Sequence, residues 1–409
     1  MTPEFESTVQ KAIENDVLPG AVMLVRSKDG KLNYTHSLGP LSLSPSSSPA
    51  NTPLQPDSIL AMASTTKLLT SIAVLQQVQS GKVALATDIS PHLPELAAQP
   101  VLSGFTPDGQ PILSPRTEPI LLKHLLTHSS GCSYTWNNPD VVTYLTTITN
   151  KTVPVPLTPV GGSTVPERCS YPLSFQPGKG WVYGSGLDWA GLLVERLAGV
   201  KLEDYLQDNI LSVLGIKRGE ITFYPARYDA LDGRRAGMTT RGKGKLSHHK
   251  LADSPAENEA MGGEGGFGSM KAYVTILADF LEPNKSRLLR PEWQAVLFGG
   301  CLTPESKKVL NESLKGEGRD WMVGWVNPVE GGAEYDWSPA GLVTAEPGTT
   351  GNGGRKRGFV QWGGAFNLAW LIDREAGVCG VFATQIVQPG DLQVRPLIKE
   401  FEEVIYSKL

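Results

Sequence analysis

The 409-residue chain has no apolar run of the ~18 residues that a membrane-crossing helix needs. Its first residues, MTPEFESTVQKAIENDVLPG, hold no apolar signal core and read as a short amphipathic helix from near Pro3. Both absences argue against a membrane partner and place the expected protein inside a cell. Cysteine is scarce: Cys132, Cys169, Cys301 and Cys379 are widely spaced and form no CxxC pair, so free thiols are expected rather than a disulfide framework. Charge of neither sign dominates; a net −4 gives no electrostatic case for nucleic acid. No serine lies in a G-x-S-x-G elbow, which excludes an α/β-hydrolase nucleophile. His124 and His128 stand i, i+4, but position 125 is Leu where a zinc protease needs Glu, so both read as structural and no metal is expected. Gly263–Gly268 matches GxGxxG, yet SPAENEAM before it is no buried strand, and a dinucleotide site fails. No cofactor is expected.

Glycine (44) and proline (31) are plentiful, which points to many turns and long connections. Residues 21–39 read as two strands around the turn Asp29-Gly30. A Ser/Pro-rich surface loop follows at 41–57, and a helix runs from about Ser64 to Ser80, ended by Gly81. Helices are expected at 119–128, 138–148, 186–199, 202–213 and 269–281. Long irregular connections at 91–118, 150–180 and 214–252 separate them. Strands return at 321–329, 358–362, 367–373 and 378–385, before a last helix from about Leu392. The expected fold class is α+β: one antiparallel sheet built from both chain ends, flanked by helices, with a mainly helical region inserted. The domain division that follows is 1–80 with 315–409, and 81–314.

The stretch AMASTTKLLT carries the first chemical signal. Ser64 and Lys67 are three apart, on one helix face, where their side chains meet. At a helix start, unpaired N–H groups and the dipole favour an anion. Lysine deprotonates serine only if burial or a nearby cation lowers its basicity, and Met62, Leu68 and Leu69 supply apolar surroundings. Serine is also a common helix cap, and a second S-x-x-K, Ser247–Lys250, sits among cations and glycine in what reads as a solvated loop. Two further signals weigh for catalysis. Tyr183, in Trp181-Val182-Tyr183-Gly184-Ser185-Gly186, stands on a turn before a helix, where a phenol can relay a proton. Trp362-Gly363-Gly364-Ala365 ends a strand, and paired glycines let a ligand approach the backbone, so that the N–H of Ala365 joins that of Ser64 as an oxyanion hole.

Ordered as S-x-x-K, Tyr, then x-Gly-Gly, with LKHLLTHSSG at 122–131 and GGEGGFGS at 262–269, the chain resembles the serine β-lactamase and penicillin-binding-protein superfamily over most of its length. It is most similar to the class C-like esterase branch and, by STTKLLTS, HLLTHSSGCSY and WVYGSGLDWAG, to the fungal lovastatin-acyltransferase type. The resemblance implies Ser64 as the acylated nucleophile, Lys67 and Tyr183 as its base system, and the N–H groups of Ser64 and Ala365 as the oxyanion donors. Two departures exclude β-lactam hydrolysis as the expected activity. Tyr183-Gly184-Ser185 stands where β-lactamases commonly have Tyr-x-Asn, and Trp362-Gly363-Gly364 where they have Lys- or His-Thr-Gly. The lost cation holds the β-lactam carboxylate; an indole there favours a neutral, apolar group.

The expected function is transfer of an acyl group from a thioester, on coenzyme A or an acyl carrier protein, through acyl-Ser64 to an alcohol or amine of a small molecule. A carboxylesterase using water is the rival reading, and a non-catalytic binding protein on this fold a second. Tyr134, Trp136, Ser185, Trp362, Gly363 and Gly364 are the expected substrate contacts. The run Arg355-Lys356-Arg357 is the expected phosphate contact for coenzyme A or a carrier at the cleft mouth. The terminal Ser407-Lys408-Leu409 reads as an address for a peroxisomal import receptor if it is exposed; without it the expected location is cytoplasmic.

Overall fold

The computed structural model of the chain describes residues 2–45, 52–149, 162–231, 233–250, 259–315, 332–347 and 355–409. Its centre is a seven-stranded sheet, antiparallel throughout. In spatial order the strands are Glu334–Trp337, Leu342–Glu346, Val360–Gly364, Leu368–Asp373, Val378–Ala383, Ala21–Ser27 and Asn33–Leu38. The early strand Ala21–Ser27 lies against the late strand Val378–Ala383, with Val22 opposite Ala383 and Ser27 opposite Val378. The two ends of the chain therefore share one sheet.

Ala21–Val25 is apolar at every position and buried at every position, because this part of the sheet is covered on both faces. Successive side chains of a strand point to opposite faces, and the packing follows that alternation. Val22 and Leu24 join the larger core with Ile72, Leu75 and Met270 from the inner helices. Met23 and Val25 join a second core with Phe5 and Val9 of the Pro3–Glu14 helix and Phe401 and Ile405 of the Arg395–Tyr406 helix. The result is three layers, with the terminal helices outside and the Thr66–Gln79, Gly186–Ala198 and Met270–Asp279 helices inside.

Several elements depart from the sequence reading. The helix expected over 202–213 is α-helical only to Leu206, then a π turn at Gln207–Leu211 and a 3₁₀ turn. The connection at 91–118 contains a hairpin, Val101–Phe105 with Pro111–Ser114. The solvated loop expected around Ser247–Lys250 is instead a hairpin, Met238–Gly242 with Lys245–His249, tied down by Arg241, whose Nε donates to Asp391 at 2.7 Å. Its turn needs two left-handed residues, Lys243 at φ 50° and Gly244 at φ 79°. The strand expected at 321–329 lies outside the described residues. All four cysteines are free thiols. Among the described residues no helix is long and apolar enough to cross a membrane. Ser407-Lys408-Leu409 follows the last helix and is exposed.

Arg355 corrects an expectation. It is buried, not at a cleft mouth: its guanidinium makes a two-pronged pair with Glu402 of the last helix and lies 4.7 Å from the Phe359 ring centroid. Lys356 and Arg357 do stay exposed, Arg357 against Glu346 at 2.5 Å. Removing one partner of a buried pair strands the other charge. Arg355→Ala is expected to lose roughly 3–5 kcal/mol of stability in urea unfolding; a loss under about 1 kcal/mol, typical of an exposed pair, would contradict this placement.

Candidate active site

Ser64 is held by a chain of backbone constraints. The short strand Ile59–Ala61 pairs with Phe267–Ser269, and the Met62 N–H donates to the Gly266 carbonyl at 2.8 Å. The chain then turns sharply. Ala63 takes a left-handed φ of 45°, which a side chain makes costly by about 1–2 kcal/mol, and a 3₁₀ turn at Ala63–Thr65 feeds the Thr66–Gln79 helix. Ser64 therefore sits within the first turn, 6% exposed; the cap positions of the two turns fall on Met62 and Thr65, and the Ser64 hydroxyl is bonded to Lys67 Nζ instead of a backbone N–H. The capping explanation for this serine fails. The Thr66–Gln79 helix is buried on all sides from Thr66 to Leu75, as expected of a helix running through a core.

Lys67 stands one turn further on, only 3% exposed. Its Nζ lies 3.1 Å from Ser64 Oγ, 3.0 Å from the Tyr134 hydroxyl and 2.7 Å from the Gly263 carbonyl oxygen. It also faces the Tyr183 ring, 4.7 Å from the centroid. The Tyr134 hydroxyl donates in turn to Asp188 Oδ2 at 2.9 Å, and the Gly263 N–H to Asp188 Oδ1 at 2.8 Å. Burial, then the Asp188 charge, push the Tyr134 phenol well above its ordinary range, so it keeps its proton.

Tyr183 is 1% exposed, and its hydroxyl accepts the Trp362 indole N–H at 3.0 Å. The indole that replaces a cation thus donates to the phenol. His128 packs on Tyr183 with centroids 4.4 Å apart and accepts the Gly184 N–H on Nδ1 at 3.2 Å. Burial and the Lys67 charge hold His128 well below the usual histidine range, so it stays neutral and fixes the Tyr183 turn. Trp362 belongs to the strand Val360–Gly364, whose end abuts the serine turn. A Cβ at Gly364 would lie 2.3 Å from the Met62 carbonyl oxygen, so only glycine permits this close approach of the strand end to the serine turn.

The other expected contacts divide. Trp136 is half-buried and stacks on Tyr134 with centroids 5.8 Å apart. Tyr134 itself is not a pocket wall: it is buried and its hydroxyl is spent on Lys67 and Asp188. Ser185 is fully buried at the start of the Gly186–Ala198 helix, which takes it off the substrate surface. The same holds for Gly363, which packs against the Leu368 backbone. Sequence reasoning passed over Asp188, the Gly263 carbonyl, Glu264 and Trp337, which packs edge-on to Trp362 at 4.6 Å. The signal for Asp188 was an acidic residue inside the otherwise apolar GLDWAGLLV.

The turn that carries Ser64, with a buried lysine against it and a phenol and indole opposite, defines the class as the serine acyl-enzymes of the penicillin-recognising fold. The chain belongs to the β-lactamase family, whose sequence model (described as Beta-lactamase) matches residues 5–401. Among curated relatives, a lovastatin esterase of Penicillium rubens is 36% identical over 99% of this chain and 98% of its own. A monacolin J acid methylbutanoyltransferase of Aspergillus terreus is 32% identical over 99% of this chain and 95% of its own. The unliganded simvastatin synthase of Aspergillus terreus superposes with a TM-score of 0.85 at 31% identity, covering 99% of this chain and 98% of that one.

Glu264 borders this site, 4.0 Å from Arg168. Burial and the Asp188 charge push its carboxyl up to about 7 from 4.5. The folded chain therefore holds a proton that the unfolded chain has released between about pH 4.5 and 7. Stability falls as pH rises through that window and levels off above it. Glu264→Gln, which cannot ionise, is expected to lose less stability than the wild type between pH 4.5 and pH 8 in urea unfolding; parallel pH curves would contradict the assignment.

Proposed function

We propose that the protein is an acyltransferase that carries an acyl group on Ser64 from a thioester, on coenzyme A or a carrier protein, to an alcohol or amine of a small molecule. The observation that carries this reading is Lys67 Nζ at 3.1 Å from Ser64 Oγ inside a buried site. A neutral serine becomes a nucleophile only beside a base, and no histidine takes that place here.

Lys67 and Tyr183 form the base system. The Ser64 proton passes to it as Oγ attacks the donor carbonyl, and the carbonyl oxygen becomes an anion held by the N–H groups of Ser64 and Ala365. One such donor is typically worth ~3 kcal/mol. The C–S bond then breaks and the thiol leaves with the proton. An acceptor hydroxyl or amine attacks acyl-Ser64, its own proton passing to the same pair, and the serine is released. Double displacement kinetics follow. The half-buried Trp136 ring favours an apolar acyl group or acceptor near the site. The activities for which the two curated relatives are named, a monacolin J acid methylbutanoyltransferase and a lovastatin esterase, support the same chemistry. With Arg355 buried, Lys356 and Arg357 are the members of the 355–357 run left exposed for a coenzyme A or carrier phosphate.

The esterase reading is kept alive by one finding, the 36% identity to a lovastatin esterase. Both readings share acyl-Ser64 and differ in what attacks it. Incubation with a panel of acyl thioesters, followed by intact-mass measurement, is expected to show one acyl increment mapped to Ser64 and none in Ser64→Ala. With acceptor alcohol added, ester should form faster than free acid. Free acid as the main product at saturating acceptor would select the esterase, and no increment on any donor would contradict both.

A further inference from the structure

We propose that Asp188 is the positioning carboxylate of this site, acting through Tyr134 to aim the lone pair of Lys67 at Ser64. The inference rests on the acyl-serine reading above and deepens it.

The argument is a count of hydrogens. As an ammonium, Lys67 donates to all three polar atoms that surround Nζ within 3.1 Å; in the deprotonated form that a base needs, the amine has two N–H bonds and one lone pair. The Gly263 carbonyl oxygen, at 2.7 Å, has no hydrogen and must receive one. The Tyr134 oxygen carries one hydrogen, but that hydrogen goes to Asp188 Oδ2 at 2.9 Å, so toward Lys67 it too must receive. Both amine hydrogens are then used. The lone pair is left facing Ser64 Oγ, the only one of the three with a hydrogen to give.

Asp188 decides this because it accepts on both oxygens. Oδ1 takes the Gly263 N–H at 2.8 Å, which also fixes the peptide whose carbonyl grips Lys67. The fit is close: a Cβ at position 263 would fall 2.5 Å from Asp188 Oδ2 and 2.7 Å from the Tyr134 hydroxyl, so glycine is needed there. Asp188 is fully buried on the Gly186–Ala198 helix, and its other charged neighbours are Arg168 and Glu264. When Lys67 takes the Ser64 proton it becomes an ammonium, one phenol away from this carboxylate. The O–H bond of Ser64 breaks, an N–H bond forms on Lys67, and the new cation meets a charge already in place. A carboxylate behind a histidine plays the same part in hydrolases of other folds; here a tyrosine hydroxyl lies between.

The test uses Asp188→Asn, which keeps the shape. An amide cannot accept from both Gly263 N–H and Tyr134 O–H, so the phenol hydrogen loses its fixed direction. Acylation is followed as the burst of thiol released from a saturating acyl thioester, with thermal melting as the folding control. Asp188→Asn is expected to slow acylation roughly 100-fold or more, the low end for a positioned base, with the donor KM little changed. Tyr134→Phe, which leaves the Asp188–Gly263 bond intact, should slow it comparably. In the Tyr134→Phe background there is no phenol hydrogen to direct, so adding Asp188→Asn should cost less than about threefold more. Equal factors in both backgrounds, or unchanged acylation in either single variant, would overturn the inference. A wild-type chain never acylated at Ser64 contradicts the acyl-serine reading itself, while acylation that ignores both substitutions contradicts only this one.

Discussion

A lysine amine inside a protein core has to be met by polar partners on every side, because an unpaired buried charge or donor costs several kcal/mol. Lys67 is the point where this structure meets that demand. Its three partners come from separate parts of the chain: Ser64 from its own helix, Tyr134 from the segment after the 122–126 helix, and the Gly263 carbonyl from the glycine-rich turn. The elements around them are placed to make that convergence. The glycine turn is pinned twice to the serine turn, by Met62 N–H to the Gly266 carbonyl and by Gly266 N–H to Thr66 Oγ1 at 3.1 Å. The Gly186–Ala198 helix packs on the Thr66–Gln79 helix and brings Asp188 to the far side of Tyr134. The sheet contributes from the opposite direction, through Gly364 and Trp362.

That arrangement separates two kinds of tyrosine. Tyr134 is locked by hydrogen bonds on both sides of its oxygen and has no freedom to act elsewhere. Tyr183 lies across the lysine, its oxygen accepting from the Trp362 indole. The exchange of a cation for an indole at position 362 therefore removes a carboxylate-binding charge and supports the tyrosine at the same time. The neutral His128 beneath Tyr183 completes the support without adding a second base.

What was legible in the sequence is what depends on near neighbours. Ser64 and Lys67 meet because i and i+3 share a helix face, and that holds whatever surrounds them. The apolar runs at 21–25, 368–372 and 378–383 announce strands covered on both faces. The strand Glu334–Trp337 was missed, being four residues with two acids, recognisable only from its neighbour. Asp188 went unread, and Tyr134 was read as a substrate contact, for a related reason: their places beside Lys67 exist only where three distant segments converge. Arg355 was misread because it lies in a run of cations and glycines, while its partner, Glu402, is 47 residues further on. Local pattern brings out the serine–lysine pair; the packing around it is visible only in three dimensions.

The central claim is that Ser64 Oγ, activated by Lys67, bonds to the acyl carbon while its oxygen sits between two backbone N–H groups. A crystal structure after reaction with an alkyl fluorophosphonate tests it most directly. The claim predicts continuous density from Ser64 Oγ to phosphorus, with the phosphoryl oxygen about 2.7–3.1 Å from the N–H groups of both Ser64 and Ala365. An adduct on another residue, or a phosphoryl oxygen turned away from those two donors, would contradict it.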